Sequence, residues 1–147
     1  MGPVGHLLEE ANITKLNDAT TAGLTTINST VVDMAGFDGV VFLTNSGTID
    51  ATGTAAVKVQ QDIAVGMGGA ADLAGTGQAF VDTDDNKSVA VDVKRPLERY
   101  VRLVITRATA NSDWGPIWAL QYRARQVPVT QGLDKHENHV SPIEGTA

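Results

Sequence analysis

The sequence predicts an all-β protein: a single β-sandwich or jelly-roll-like domain with extended N- and C-terminal arms. Three observations lead there. Short apolar runs alternate with period two, which puts successive side chains on opposite faces of a strand. Clusters of Gly, Asn, Asp, Ser and Thr separate the runs and mark turns. Aromatic residues are only 5% of the 147, so Val, Ala, Leu and Ile carry the apolar content, as suits short strands better than a helical bundle. The pattern divides the chain into an N-terminal arm (residues 1–23), a sandwich (24–125) and an extended C-terminal tail (126–147).

Taken in order, residues 1–23 are weakly patterned. Leu7, Leu8, Ala11 and Leu16 allow a turn or two of helix, but Asn12, Thr14, Asn17 and Asp18 oppose a long one. The arm is expected to lie on its own domain or on a neighbour, because Leu7, Leu8, Ile13 and Leu16 are costly to leave in water. Residues 24–32, rich in Thr, Ile and Val, predict a strand, and Gly36, Asp38 and Gly39 a loop. Val40-Val41-Phe42-Leu43 is continuously apolar, which fits a central strand covered on both faces and closed by Asn45-Ser46-Gly47. After a turn at residues 50–53, residues 55–61 alternate again.

The five glycines between residues 66 and 77 predict a long mobile loop with a helical turn at residues 70–73. Phe80-Val81 reads as a short strand and residues 82–87 as a turn. Two strands follow, joined by a basic corner. Val89, Val91 and Val93 alternate before it, and Val101, Leu103 and Ile105 after it. Pro96 lacks an N–H and restricts Arg95, so the chain turns or changes sheet there. Asn111-Ser112-Asp113 reads as a turn and residues 117–125 as a last long strand. That gives seven or eight strands.

Composition narrows the function classes. With no cysteine there is neither a disulfide nor a zinc–thiolate site. No apolar run approaches the roughly 20 residues of a membrane-spanning helix. Residues 1–10 lack the basic-then-apolar order of a signal peptide, and His6 stands where a myristoylation signal wants Ser or Thr. The net charge of −6 is uneven: residues 1–93 carry 3 basic and 12 acidic side chains, 94–125 carry 7 and 2, and 126–147 carry 1 and 3. One basic block in an acidic chain suits docking on a protein surface better than nonspecific binding to nucleic acid.

Motifs for chemistry are weak. Gly66-Met67-Gly68-Gly69-Ala70-Ala71 matches a dinucleotide fingerprint, but no convincing helix follows to receive a pyrophosphate. Asp82, Asp84 and Asn86 open like a calcium loop, which then needs Gly where Lys87 stands and Glu where Val93 stands. Asp134, His136, Glu137 and His139 are metal-capable but fall in the unpatterned tail. No histidine lies between residues 24 and 125 to serve a nucleophile. The chain is therefore read as non-enzymatic, with no catalytic, cofactor-binding or metal residues and no cofactor. The residues to follow are Arg95, Arg99, Tyr100, Arg102, Arg107, Tyr122, Arg123 and Arg125, with Leu7 and Leu8 on the arm, as a protein interface. Arginine and tyrosine are enriched at such contacts because a guanidinium pairs bidentately with carboxylates and stacks on rings.

Residues 29–40 (Ser-Thr-Val-Val-Asp-Met-Ala-Gly-Phe-Asp-Gly-Val), Asp72-Leu73-Ala74, Arg95-Pro96 and Arg99-Tyr100-Val101-Arg102 together resemble the capsid decoration (cement) proteins of tailed bacteriophages. The resemblance covers roughly residues 24–107. It implies a sandwich or jelly-roll subunit, made in the host cytoplasm, that binds the outside of an icosahedral virion shell. Its implied partners are the major capsid protein and further copies of itself, as dimer or trimer, without direct contact to nucleic acid or membrane. A phage tail or connector protein, and a carbohydrate- or calcium-binding sandwich, are the rival expectations.

Overall fold

The computed structural model describes residues 5–146, and within them two antiparallel sheets pack into a β-sandwich-like fold. A one-turn helix α1 (Leu7–Glu10) precedes strands β1 (Asn12–Asn17), β2 (Thr20–Gly23), β3 (Ile27–Asn28), β4 (Val32–Asp33), β5 (Phe37–Ile49) and β6 (Thr54–Asp62). Then come β7 (Ala71–Asp72), β8 (Gln78–Val81), β9 (Ser88–Lys94), β10 (Tyr100–Ala108), β11 (Ser112–Trp114) and β12 (Ile117–Ala124). The first sheet runs β1-β12-β5-β11-β2, with β9 also paired to β5. The second runs β3-β10-β6-β7, with β4 on β10 and β8 on β6.

The two strands flanking the basic corner fall in different sheets, β9 in the first and β10 in the second, so the chain changes sheet at Pro96 as the sequence predicts. Their period-two faces meet in the core. Val101, Leu103 and Ile105 of β10 and Val57 and Val59 of β6 pack against Val40 and Phe42 of β5, Val91 of β9 and Ile117 and Ala119 of β12. Each large aliphatic or aromatic side chain buried this way contributes about 1.5–3 kcal/mol. Phe80 and Trp114 close one end edge-to-face, with ring centroids 5.0 Å apart.

Several expectations need correction. Of the expected arm 1–23, the described residues 5–23 belong to the sandwich: after α1 they supply β1, paired with β12, and β2, paired with β11, while residues 1–4 lie outside the described residues. Asn12, Thr14 and Leu16 face inward while Ile13 and Lys15 face out. Polar residues on the inner face hid the alternation. The strand expected over residues 24–32 breaks into β3 and β4 because Ser29 intrudes. Its hydroxyl accepts the Leu103 N–H at 2.9 Å, where a ladder carbonyl would stand. The run 40–43 is central but covered on one face only, since Leu43 is 42% exposed on the other. Instead of closing at Gly47, β5 continues to Ile49, and Asp113 lies where a Gly47 Cβ would be. Residues 112–114 form β11 rather than a turn. The glycine-rich loop holds β7 rather than a helical turn. The described residues hold twelve strands, several of only two residues, which hydrophobic patterning cannot resolve.

Among the described residues, the tail beyond Ala124 has no strand. Its first part is tied down along the edge of β1: Val129 N–H donates to the Glu9 carbonyl, and the Gln131 side chain accepts the Ile13 N–H at 2.6 Å while donating to the Leu8 and Ala11 carbonyls. The backbone groups of an edge strand are thus capped by a side chain.

Candidate interaction surface

The loop between β4 and β5 and the loop between β9 and β10 face each other at one end of the sandwich. Backbone bonds fix their approach. Arg95 N–H donates to the Asp38 carbonyl at 2.6 Å, Met34 N–H to the Arg99 carbonyl, and Arg125 N–H to the Gly36 carbonyl. Gly36 at φ +87° supplies the left-handed turn that lets the first loop curl back. Between the loops lies an open cleft of about 490 Å³, lined by Phe37, Asp38, Arg95, Leu97, Arg99 and Arg125 among others.

The predicted arginines divide into two groups. Arg95 reaches the cleft with no ion-pair partner among the described residues. Arg123 and Arg125 share Asp38 at 3.8 and 3.9 Å, and their side chains stay 63% and 73% exposed. Such long, solvated pairs contribute little to stability and leave the charge available to a partner. These three form the exposed basic surface, and Leu97, 92% exposed, adds an apolar lip.

The second group is engaged by side chains of its own chain, although Arg99 stays exposed at the cleft. Arg99 grips Asp33 bidentately, Nε to Oδ1 at 2.8 Å and Nη2 to Oδ2 at 2.9 Å, and lies over the Tyr100 ring at 5.3 Å. The guanidinium holds the Asp33 carboxyl below the usual carboxylate range, and Asp33 in turn raises Arg99. Arg102 donates twice to the Gln60 side chain. The Tyr122 ring covers Gly39, where no Cβ fits, and its hydroxyl donates to Asp92 at 2.6 Å. Burial and that carboxylate push the phenol up to about 12.

Arg107 is a correction. It is 7% exposed and is no surface contact: its guanidinium donates to the Thr21, Thr25 and Ser112 carbonyls and to the Thr25 hydroxyl. Burial lowers its pKa from the ordinary arginine value. On β10 Arg107 continues the inward series of Val101, Leu103 and Ile105, so period two alone flags it. Leu7 is 60% exposed on α1, while Leu8 is half-buried; α1 packs toward β1 and β12, and neither leucine lines the cleft.

Sequence reading passed over Asp33, Asp38 and Gln61. The aspartates read as turn formers beside Gly36, while Gln61, whose Oε1 accepts the Leu97 and Glu98 N–H groups, carries no motif. Of the motif candidates, Asp82 and Asp84 accept the backbone N–H groups of Thr52 and Val81, which makes them turn caps. The chemistry on offer at the cleft is charge pairing and apolar contact.

No protein-family model and no curated protein matches the chain. Solved structures with a similar fold include a protein of the disulfide-linked pili that form Bacillus endospore appendages (13% identity, 84% of this chain and 96% of that one, TM-score 0.50). Another is the PBSX exported protein XepA (14% identity, TM-score 0.54), where the match covers 98% of this chain but 45% of that one. This chain spans less than half of XepA. At these identities the likeness is one of fold, and a chain without cysteine cannot be joined by disulfides as the appendage pili are.

Proposed function

We propose that this protein is a non-enzymatic structural subunit that decorates the outside of a tailed-phage icosahedral capsid and stabilises it by bridging neighbouring major capsid proteins. The observation that carries the reading is the end of the sandwich just described. Arg95 and Arg125 line a cleft and are anchored by their backbone bonds to the Asp38 and Gly36 carbonyls, Arg123 shares the cleft residue Asp38, and the three guanidiniums are left largely unneutralised by their own chain. A guanidinium on a fixed scaffold suits recognition of carboxylates on another protein. The loops 34–38 and 95–99 that build this end carry much of the sequence resemblance to decoration proteins.

A tail or connector subunit is the second reading. The fold shared with a pilus protein and an exported protein supports it, since a sandwich of this kind occurs in an external appendage. Copy number separates the two. Quantitative mass spectrometry of purified particles is expected to find hundreds of copies per shell. A handful at one vertex or along a tail would favour the second reading, and absence from particles would overturn both.

A further inference from the structure

The C-terminal segment beyond Gly132 leaves the sandwich. Residues 134–146 are exposed throughout, with Val140 at 85% and Ile143 at 94%. Two bare aliphatic side chains three residues apart, flanked by Pro142 and Glu144, read as a contact motif. Glu144 has no ion-pair partner among the described residues. The cleft carries Arg95, which has no ion-pair partner among the described residues, the exposed Arg125 and the bare Leu97 lip, beside Asp38 and Glu98. The two surfaces complement each other in charge and in exposed apolar groups.

We propose that the C-terminal segment of one copy, through Val140, Ile143 and Glu144, docks in the arginine-lined cleft of a second copy. The chain's own segment is led away from its own cleft. From Arg125 it runs along β1, where Val129 is held by Glu9, Gln131 by Leu8, Ala11 and Ile13, and Gly132 by the Asn12 side chain at 2.7 Å. None of residues 126–146 lines that cleft. Thirteen extended residues reach roughly 40 Å, enough to cross to a neighbour. Because the segment and the cleft are different surfaces, two copies can exchange segments reciprocally and close as a dimer, or the contact can propagate head-to-tail into a ring or a chain of subunits. This goes beyond the capsid reading and needs no shell.

Charge reversal in trans tests it. The full-length chain, Arg125→Glu and Glu144→Arg are each followed by sedimentation velocity over a concentration series at low salt, with circular dichroism confirming that all are folded. The unmodified chain is expected to self-associate with rising concentration. Each reversal should weaken this about tenfold or more, because it sets like charges together. Mixing the two variants should restore association, since the reversed cleft of one then meets the reversed segment of the other. Wild-type protein that stays monomeric at every concentration, reversals without effect, or a mixture that fails to recover would overturn the proposal. The readout contains no particles, so it stands or falls separately from capsid binding.

Discussion

Replacing Arg107 with leucine should destabilise the fold severely and leave the exposed basic surface intact. The guanidinium joins β10 to two other stretches of chain. It reaches the Ser112 carbonyl at 2.6 Å, the Thr25 carbonyl at 2.7 Å and the Thr21 carbonyl at 3.0 Å. Ser112 is fully buried, so its orphaned carbonyl costs about 1–3 kcal/mol. The Thr21 and Thr25 carbonyls are partly buried; water can recover some of their bonding, and they add about 1 kcal/mol each. Removing a desolvated charge returns part of this, and the apolar replacement packs against neighbours already in place. The net loss comes to about 2–4 kcal/mol, a large fraction of a typical domain's stability. Urea denaturation measures it: with a slope of about 1–3 kcal/mol per molar, the midpoint should fall by about 1–2 M with the slope unchanged. Arg107→Lys should recover only part, because one ammonium cannot span all four acceptors. A loss below about 0.5 kcal/mol would refute the reasoning and return Arg107 to the surface group.

Other outcomes follow from the same geometry. Gly39→Ala places a Cβ where the Tyr122 ring stands, so it should displace the ring, break its bond to Asp92 and cost about 1–3 kcal/mol, visible as a changed near-ultraviolet dichroism signal. The Tyr122 phenol is raised to about 12 in the fold against about 10 unfolded, so its contribution is complete below pH 10 and is lost as pH climbs toward 12. Tyr122→Phe should flatten that part of the stability–pH curve. Asp33 is shifted the other way, chiefly by Arg99. Its contribution is present above about pH 4 and is lost as pH falls through the lower folded value. The pair is half-exposed, so the effect should stay within about 1 kcal/mol and shrink in salt, and Asp33→Asn should abolish it.

The sandwich was legible where one face is apolar and the other polar. β6, β9, β10 and β12 all show period two, and Pro96 marks the change of sheet. Legibility failed where another interaction replaced the pattern. β1 turns Asn12 and Thr14 inward, where Asn12 meets the Gln121 side chain on β12 at 3.0 Å. In the β3–β4 stretch a serine hydroxyl stands in for a ladder carbonyl, and β11 is a three-residue strand whose inner members are Ser112 and Trp114. At the candidate surface, residue type pointed to the arginines without sorting them. Arg95, Arg123 and Arg125 are exposed, Arg99 and Arg102 bind side chains of their own chain, and Arg107 is interior. Their partners Asp33, Asp38 and Gln60 lie 42 to 87 residues away in sequence, a separation that only the fold closes.

The most direct test of the central claim adds purified protein to phage shells that lack it and counts the bound copies by cryo-electron microscopy. The account predicts saturable, symmetry-related density on the outer surface, with Arg95, Arg123 and Arg125 toward acidic side chains of the shell or of a neighbouring copy, and loss of occupancy when Arg95 and Arg125 are reversed to glutamate. Shells that stay bare at saturating protein, or density with the arginine end pointing to solvent, would contradict it.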